Sequence, residues 1–375
     1  MRFPEFKEEW EQMKFKDIIK LQRGSSPRPI IEYLTTSDDG VNWIKIGDMP
    51  ISGRIVTSTE EKITKEGAKK SRHVSVGDLI LSNSMSYGLP YIMGIDGYIH
   101  DGWFVLKNYE KTFDRDYLCN LLISDAIQRQ YKKLAAGGVV QNISSDLVNS
   151  VYVSIPCLCE QKKIAKLLNL IDERIATQNK IIEDLKKLKS AISQIIFSNA
   201  NLVKIQNLCE VIMGQSPSSS SYNSNNDGLP LIQGNLDIFD GVTISRIYTN
   251  EPTKISLQND LILTVRAPVG IIAENKMEVC IGRGVCALRN KSAIPTMYIY
   301  YALDYFSYKW KQIEQGSTFT SINGDDVKNF AIPLVDAAEY SCTFLSKVDT
   351  LIKCSIDLHS NYIKQKQYLL RQMFI

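Results

Sequence analysis

Few side chains in this chain have the type and spacing that catalysis needs. The three histidines, His73, His100 and His359, lie far apart, with no metal-ligand spacing. No Gly-x-x-x-x-Gly-Lys-Ser/Thr run is present to cradle nucleotide phosphates. The Asn/Asp-Pro-Pro-Tyr tetrapeptide of amino-methyltransferases is absent too. Gly282-Arg283-Gly284 is a lone Gly-x-Gly inside a strand-like run, not a dinucleotide fingerprint. The pairs Asp38-Asp39 and Asp325-Asp326 sit in turn contexts, where aspartate is ordinary. Cys157 and Cys159 flank one residue, which is neither a zinc nor a thioredoxin spacing. The 8 cysteines read as buried, reduced thiols of a cytosolic protein. Neither a catalytic centre nor a metal site is expected.

What the chain does carry is a repeat. Asp172 to Phe197 spans 25 residues, and so does Asp349 to Phe374. Each of these helix-like stretches follows a longer segment, and the two segments also align. Gly24-Ser25-Ser26-Pro27 matches Gly214-Gln215-Ser216-Pro217. Gly77 to Ser82 matches Asn259 to Thr264. Ile99 to Asn108 matches Ile281 to Asn290, with Gly102 on Gly284 and Leu106 on Leu288. Gly138 to Asp146 sits over Gly316 to Asp325. Two copies of a globular unit plus a long helix make a bivalent device.

Short apolar runs bounded by Gly, Asn and Asp read as strands. Tyr117–Leu134 and Met297–Ile313 each read as one helix. Each unit is therefore a mixed α/β (α+β) domain. The boundaries are 1–155 for the first unit, 156–200 for its helix, 201–338 for the second unit and 339–375 for its helix.

The long helices carry heptad seams. The first reads Ile164, Leu168, Ile171, Ile175, Gln178, Ile182, Leu185, Lys189, Ile192 and Ile196. The second reads Leu345, Val348, Ile352, Ser355, His359, Tyr362, Lys366, Leu369 and Met373. One stripe wants one partner, and the other copy supplies it. The first helix feeds into the second unit, whose own helix starts near residue 339. Because domain termini lie close together, the pair is expected to run antiparallel with pseudo-twofold symmetry. About 36 helical residues at ~1.5 Å rise give a rod on the order of 55 Å. Lys189 and Lys366 are expected to snorkel outward, and His359 to hydrogen-bond within the coil.

Charge does not advertise a nucleic-acid partner. Residues 1–155 carry 20 basic and 20 acidic side chains, and residues 203–338 carry 11 and 13. Any DNA contact must rest on local patches. The opening Met1-Arg2-Phe3-Pro4-Glu5-Phe6 has no apolar signal region and no run is long enough to span a bilayer, so a cytoplasmic protein with no membrane partner is expected.

The run Ile155-Pro156-x-x-x-Glu160-Gln161-Lys162-Lys163-Ile164-Ala165, followed by Ile171-Asp172-Glu173-Arg174-Ile175 and a closing Phe197, resembles the helical region of type I restriction–modification specificity subunits. Arg2-Phe3-Pro4-Glu5-Phe6 and Trp10 resemble the start of such subunits. The resemblance covers nearly the whole chain. The second helix departs from it: Tyr340 replaces the Gln, and Glu339 to Asp349 is two residues shorter than Glu160 to Asp172.

The resemblance implies two target-recognition domains, each reading one half of a split double-stranded DNA site, with the coil setting the gap. It implies that this chain is no enzyme and binds no cofactor itself. Its partners are two methyltransferase (M) subunits, which use S-adenosylmethionine to methylate adenine N6, and two restriction/motor (R) subunits, which use ATP and Mg. Arg, Lys and small polar residues on loops then become DNA-contact candidates. In the first domain these are Arg23, Ser25, Arg28, Lys69, Lys70, Arg72, Asn83, Ser84, Tyr87 and Gln141. In the second they are Gln215, Ser216, Arg266, Arg283, Thr318 and Thr320. The alternatives are a stand-alone enzyme, a coiled-coil adaptor that reads no DNA, or an inactive copy. The two units differ outside their anchors, so unequal half-sites are expected.

Overall fold

The structure, a computed structural model, describes residues 2–50, 53–83, 88–135, 143–198, 200–313 and 321–374. The chain divides into two compact units. One comprises Met1–Lys180 with Ile356–Ile375, the other Ile181–Ser355. Each holds an α/β domain and part of both long helices, Leu158–Phe197 and Ala338–Met373.

In the first unit, one five-stranded sheet runs Lys20–Arg23, Trp103–Lys107, Leu79–Ser82, Pro90–Met93 and Ile55–Val56. A second runs Leu34–Thr35, Glu61–Ile63, Val41–Ile44, Gly97–Ile99 and Arg72–Val74. Strand alternation divides the interior. Leu79, Leu81, Phe104 and Leu106 face a core shared with the helices. Ile80, Trp103 and Val105 face Ile44 and Ile99 of the other sheet. Both faces are covered, which is why Leu79-Ile80-Leu81 reads as an unbroken apolar run rather than an alternating one.

The second unit repeats the plan. Cys209–Met213, Val285–Asn290, Leu261–Thr264 and Ile272–Glu274 are neighbours in that order. Leu261 and Leu263 face the helices, and Ile262 faces Ile232 and Ile281. The parallel pairing of Ile44 with Ile99 recurs as Ile232 with Ile281. An ion pair recurs as well. Asp78 holds Lys107 at 2.5 Å, and Asp260 holds Arg289 at 3.0 Å at the aligned positions. Each aspartate also accepts a backbone N–H, from Ser75 and Leu257 respectively. These anchors close a turn before the central strand, so they are framework rather than site.

Several expectations need correction. The stretch read as one helix over 117–134 is two, Arg115–Ile123 and Asp125–Ala135. Ser124 is extended between them, and its hydroxyl donates to Leu121 O at 2.6 Å, so a side chain competes with the helical ladder. The second copy breaks at the matching place, Thr296–Tyr305 giving way to a 3-10 turn at Ser307–Lys309 before Trp310–Ile313. The thiols are not uniformly buried: Cys159 and Cys354 are exposed, and Cys157 is half-buried with its Sγ 2.7 Å from that of Cys159.

The seam lysines do not snorkel. In the first unit Lys366 pairs with Asp172, while Arg174 lies over the Tyr362 ring at 5.9 Å. Residue numbers rise along one helix as they fall along the other, so the helices run antiparallel there. In the second unit Lys189 pairs with Asp349 at 2.7 Å. Burial is the main influence on the Lys366 ammonium and pulls it below the usual lysine range, while Asp172 opposes that pull. The Nε2 of His359, expected to be bonded within the coil, is buried without a hydrogen-bond partner among the described residues.

Candidate nucleic-acid interface

In the first unit the chain crosses itself tightly after the strand Lys20–Arg23. The Gly24–Pro27 loop lies on the turn His100–Gly102. A Cβ on Gly24 would fall 2.0 Å from His100 O, so only glycine permits the crossing. Gly24 N donates to Trp103 O at 2.8 Å, and Ser25 N donates to Ile99 O at 3.3 Å.

Asp101, at the centre of that turn, gathers the surrounding polar side chains. One carboxylate oxygen accepts from Ser26 Oγ at 2.8 Å, and the other accepts from the Arg28 guanidinium at 3.1 Å. Its backbone oxygen accepts from Arg23 Nε at 3.2 Å and Asn83 Nδ2 at 2.9 Å. Arg72 Nε donates to Arg23 O, and Ser25 Oγ donates to Lys70 O. Four candidates picked from sequence, Arg23, Arg28, Arg72 and Asn83, thus join one hydrogen-bonded cluster around Asp101, and Ser25 and Lys70 form a bonded pair beside it.

Among these candidates Arg23, Arg28, Lys70 and Arg72 are exposed, as is neighbouring Lys69 at the end of the helix Lys65–Lys69. The Lys70 ammonium lies 4.6 Å over the Tyr33 ring and bonds its hydroxyl. Asn83 is different. It is 4% exposed and its amide is committed to Asp101 O, so it props the turn from beneath. Ser84, Tyr87 and Gln141 lie outside the described residues.

His100 supports the same turn. Its Nδ1 accepts from Gly102 N–H at 2.7 Å, which requires the unprotonated nitrogen. Burial holds the imidazole below its ordinary value of 6.5, and Asp101 and Asp48 only partly oppose this. A histidine depressed in the fold stabilises it above the unfolded value. That stability is lost as pH falls from 6.5 through the folded value. The first unit should therefore weaken in urea between pH 7 and pH 5. H100N should flatten that dependence, because an amide oxygen can replace Nδ1 as acceptor. Equal pH slopes for the two proteins would contradict this role.

The second unit has the same crossing. A Cβ on Gly214 would lie 2.1 Å from Gly282 O. Gln215 N donates to Ile281 O at 2.9 Å, and Arg283 N donates to Ser216 Oγ at 3.1 Å. Gln215 and Arg283 are exposed, and Ser216 is half-buried. Arg266 is also exposed, just past the central strand, where its backbone bridges Ser321. Among the described residues neither the Arg266 nor the Arg283 side chain has a hydrogen-bond partner. Thr318 and Thr320 lie outside the described residues. No group of three or more potential metal ligands exists among the described residues.

The seam residues split by depth. In the first unit Ile164, Leu168, Ile171 and Leu369 enter the domain core, while Ile175 and Tyr362 are half-buried. In the second, Leu345, Val348 and Ile182 are buried, and Leu185, Ile192 and Ile352 are half-buried. The Glu-Gln pair anchors the first helix. Glu160 takes two bonds from Arg2, at 2.7 and 2.8 Å, and one from Trp10 Nε1 at 3.3 Å. In the second helix Glu339 and Tyr340 are exposed, and Ala338, Cys342 and Leu345 enter the core instead. That start docks through apolar side chains, without the polar anchor.

Asp101 and Arg54 carry no local signal of their role in the sequence, and His100 shows there only its lack of metal-ligand spacing. Arg54 donates to Asn120 at 2.6 Å and lies 3.6 Å from Asp172, tying the domain to its helix. Asp101 could have been found, since the repeat places it opposite Arg283.

Comparison with known proteins fits this plan. The family model for the type I restriction modification DNA specificity domain matches residues 7–187 and 198–366. A Methanocaldococcus jannaschii protein described as a candidate MjaX type I restriction enzyme specificity subunit is 28% identical, over 93% of this chain and 89% of its own length. A chain solved in work on assembly and conformational transition of the type I R-M system matches with TM-score 0.67 at 22% identity, covering 96% of each chain. The type I restriction-modification S subunit from M. genitalium matches with TM-score 0.61 at 14% identity, covering 98% of this chain and 96% of its own. At such identities these structures carry the fold: two α/β units in tandem with long helices.

Proposed function

Because the chain belongs to the family of type I restriction–modification DNA specificity subunits, we propose that its two loop–turn clusters are the surfaces that touch DNA, one per half of a split site. The observation that carries this is the duplicated crossing. In both units a glycine loop packs on a turn that ends in glycine, Gly102 or Gly284, and exposed guanidinium groups stand there in otherwise near-neutral domains. Arg23, Lys69, Lys70 and Arg72 position the first unit on phosphates, and Arg266 does so in the second. Ser25, Arg28, Gln215, Ser216 and Arg283 reach base edges. Ser84, Tyr87, Gln141, Thr318 and Thr320 stay in the proposed contact set from their loop positions in sequence.

Residues 1–155 and 201–338 act as the two readers. Residues 156–200 and 339–375 set the gap between half-sites and scaffold the partners. Those partners are two methyltransferase subunits, which use S-adenosylmethionine to methylate adenine N6, and two motor–nuclease subunits, which use ATP and Mg. This chain supplies no catalytic group of its own and works in the cytoplasm. No helix among the described residues is long and apolar enough to cross a membrane.

Salt dependence tests the phosphate assignments. The complex with its methyltransferase subunits should lose affinity steeply with salt, and each of Lys69→Ala, Lys70→Ala and Arg72→Ala should lower the log–log slope by about 1. Unchanged slopes would contradict phosphate contacts at these positions.

A further inference from the structure

The two crossings share a backbone but not their charges. Aligned on Gly24 and Gly214, Ser26 matches Ser216 and Arg28 matches Ser218. Aligned on Gly102 and Gly284, Asp101 matches Arg283. In the first unit the loop bears the cation and the turn bears an anion. In the second the turn bears the cation and the loop bears hydroxyls. Ser26 bonds the carboxylate of Asp101, and Ser216 bonds the backbone of Arg283, so the same serine braces the turn in both. Each unit thus offers one guanidinium from the same loop–turn pair, but from opposite sides of it. The Arg28 side chain is 81% exposed although one of its nitrogens is held by Asp101 at 3.1 Å. Arg283 is exposed and unheld among the described residues.

We propose that this pair is the specificity-determining position of each unit. Arg28 in the first and Arg283 in the second read a guanine in their half-sites, and Asp101 is the positioning residue for Arg28. This rests on the DNA-reading role proposed above. A guanidinium is a planar fork whose paired N–H groups fit the O6 and N7 acceptors of guanine in the major groove. Asp101 occupies one edge of the Arg28 fork and leaves other N–H groups free. The carboxylate removes rotamer freedom that an arginine on a loop would otherwise lose on binding. Arg283 has no such brace, so its guanine preference should be the weaker of the two.

The test uses the full chain assembled with its methyltransferase subunits, and a DNA library randomised across both halves of the site. The wild-type complex should select guanine at one position in each half. R28A should lose that preference about tenfold in the first half and leave the second untouched, and R283A should do the reverse. D101N should reduce the first-half preference alone, with binding to unrelated DNA and its salt slope unchanged. A purely structural role for Asp101 would instead weaken all sequences alike. Guanine preference kept by both alanine variants, or uniform weakening with a shallower salt slope, would overturn the proposal and make these arginines phosphate contacts. A wild-type complex that selects no bases would overturn both this proposal and the DNA-reading role on which it rests.

Discussion

Gln161→Ala should cost the first unit about 3 kcal/mol. The side chain is fully buried and spends all it has. Its oxygen accepts from Asp114 N–H at 2.9 Å, and its nitrogen donates to Thr112 O and Pro156 O, each at 2.9 Å. Asp114 is itself the N-cap of Arg115–Ile123, accepting from Tyr117 N–H at 3.0 Å. One amide therefore ties the start of a long helix to the start of a domain helix. Truncation leaves three backbone groups with no partner, at about 1 kcal/mol each. Gln161→Glu should be worse, since a carboxylate would face two carbonyl oxygens in a buried site. Urea unfolding measures both. A loss below about 0.5 kcal/mol for Q161A would contradict the anchor.

The second large effect concerns the reciprocal ion pairs. Asp172 and Asp349 are equivalent in the repeat, and so are Lys189 and Lys366. Each aspartate pairs with the lysine of the other helix. Their surroundings invert. Asp172 sits between two cations, Lys366 and Arg54. Lys189 sits near two anions, Asp349 and the more distant Asp304. Lys366→Glu should cost about 2 kcal/mol, because it sets two carboxylates together at a site where Lys366 is only 18% exposed. Adding Asp172→Lys should recover part of that loss but not all, because Arg54 would then face a lysine. A double-mutant cycle should give a coupling of at least ~1 kcal/mol. Additive effects would mean that the pair contributes nothing to helix pairing.

The legible part of this molecule is whatever repeats at short range. The strand Leu79–Ser82 and its copy Leu261–Thr264 announce themselves because both faces are buried and every residue must be apolar or small. The helical seams are legible because a 3.5-residue period survives over the whole helix. The Glu-Gln run is recognisable as a motif, but what it holds lies far away in sequence: Arg2, Trp10, Thr112 and Asp114. Long-range partners also explain the misread lysines. Lys366 has a seam position and a charged head, which suggests snorkelling until Asp172 is placed beside it.

The candidate site was half legible. Arg28 and Arg283 stand out by type and loop context, and Asn83 stood out on the same grounds. Only the fold reveals that Asn83 is beneath the turn. Asp101 is not legible by type because an acid has no attraction for phosphates, and its value lies in the side chains that it orders. The break at Ser124 was overlooked because the apolar period continues through it. A single hydroxyl bond to Leu121 O outweighs that signal.

The proposed function makes this chain the reader of a split sequence through two different domains. The most direct measurement is the adenine methylation pattern of a host expressing the chain with its methyltransferase subunits. The expected result is a discontinuous motif with one modified adenine per half, unequal halves and a fixed gap. Exchanging residues 201–338 should replace one half of the motif and leave the other half and the gap in place. A well-formed complex that methylates a continuous sequence, or that adds no methylation, would contradict it.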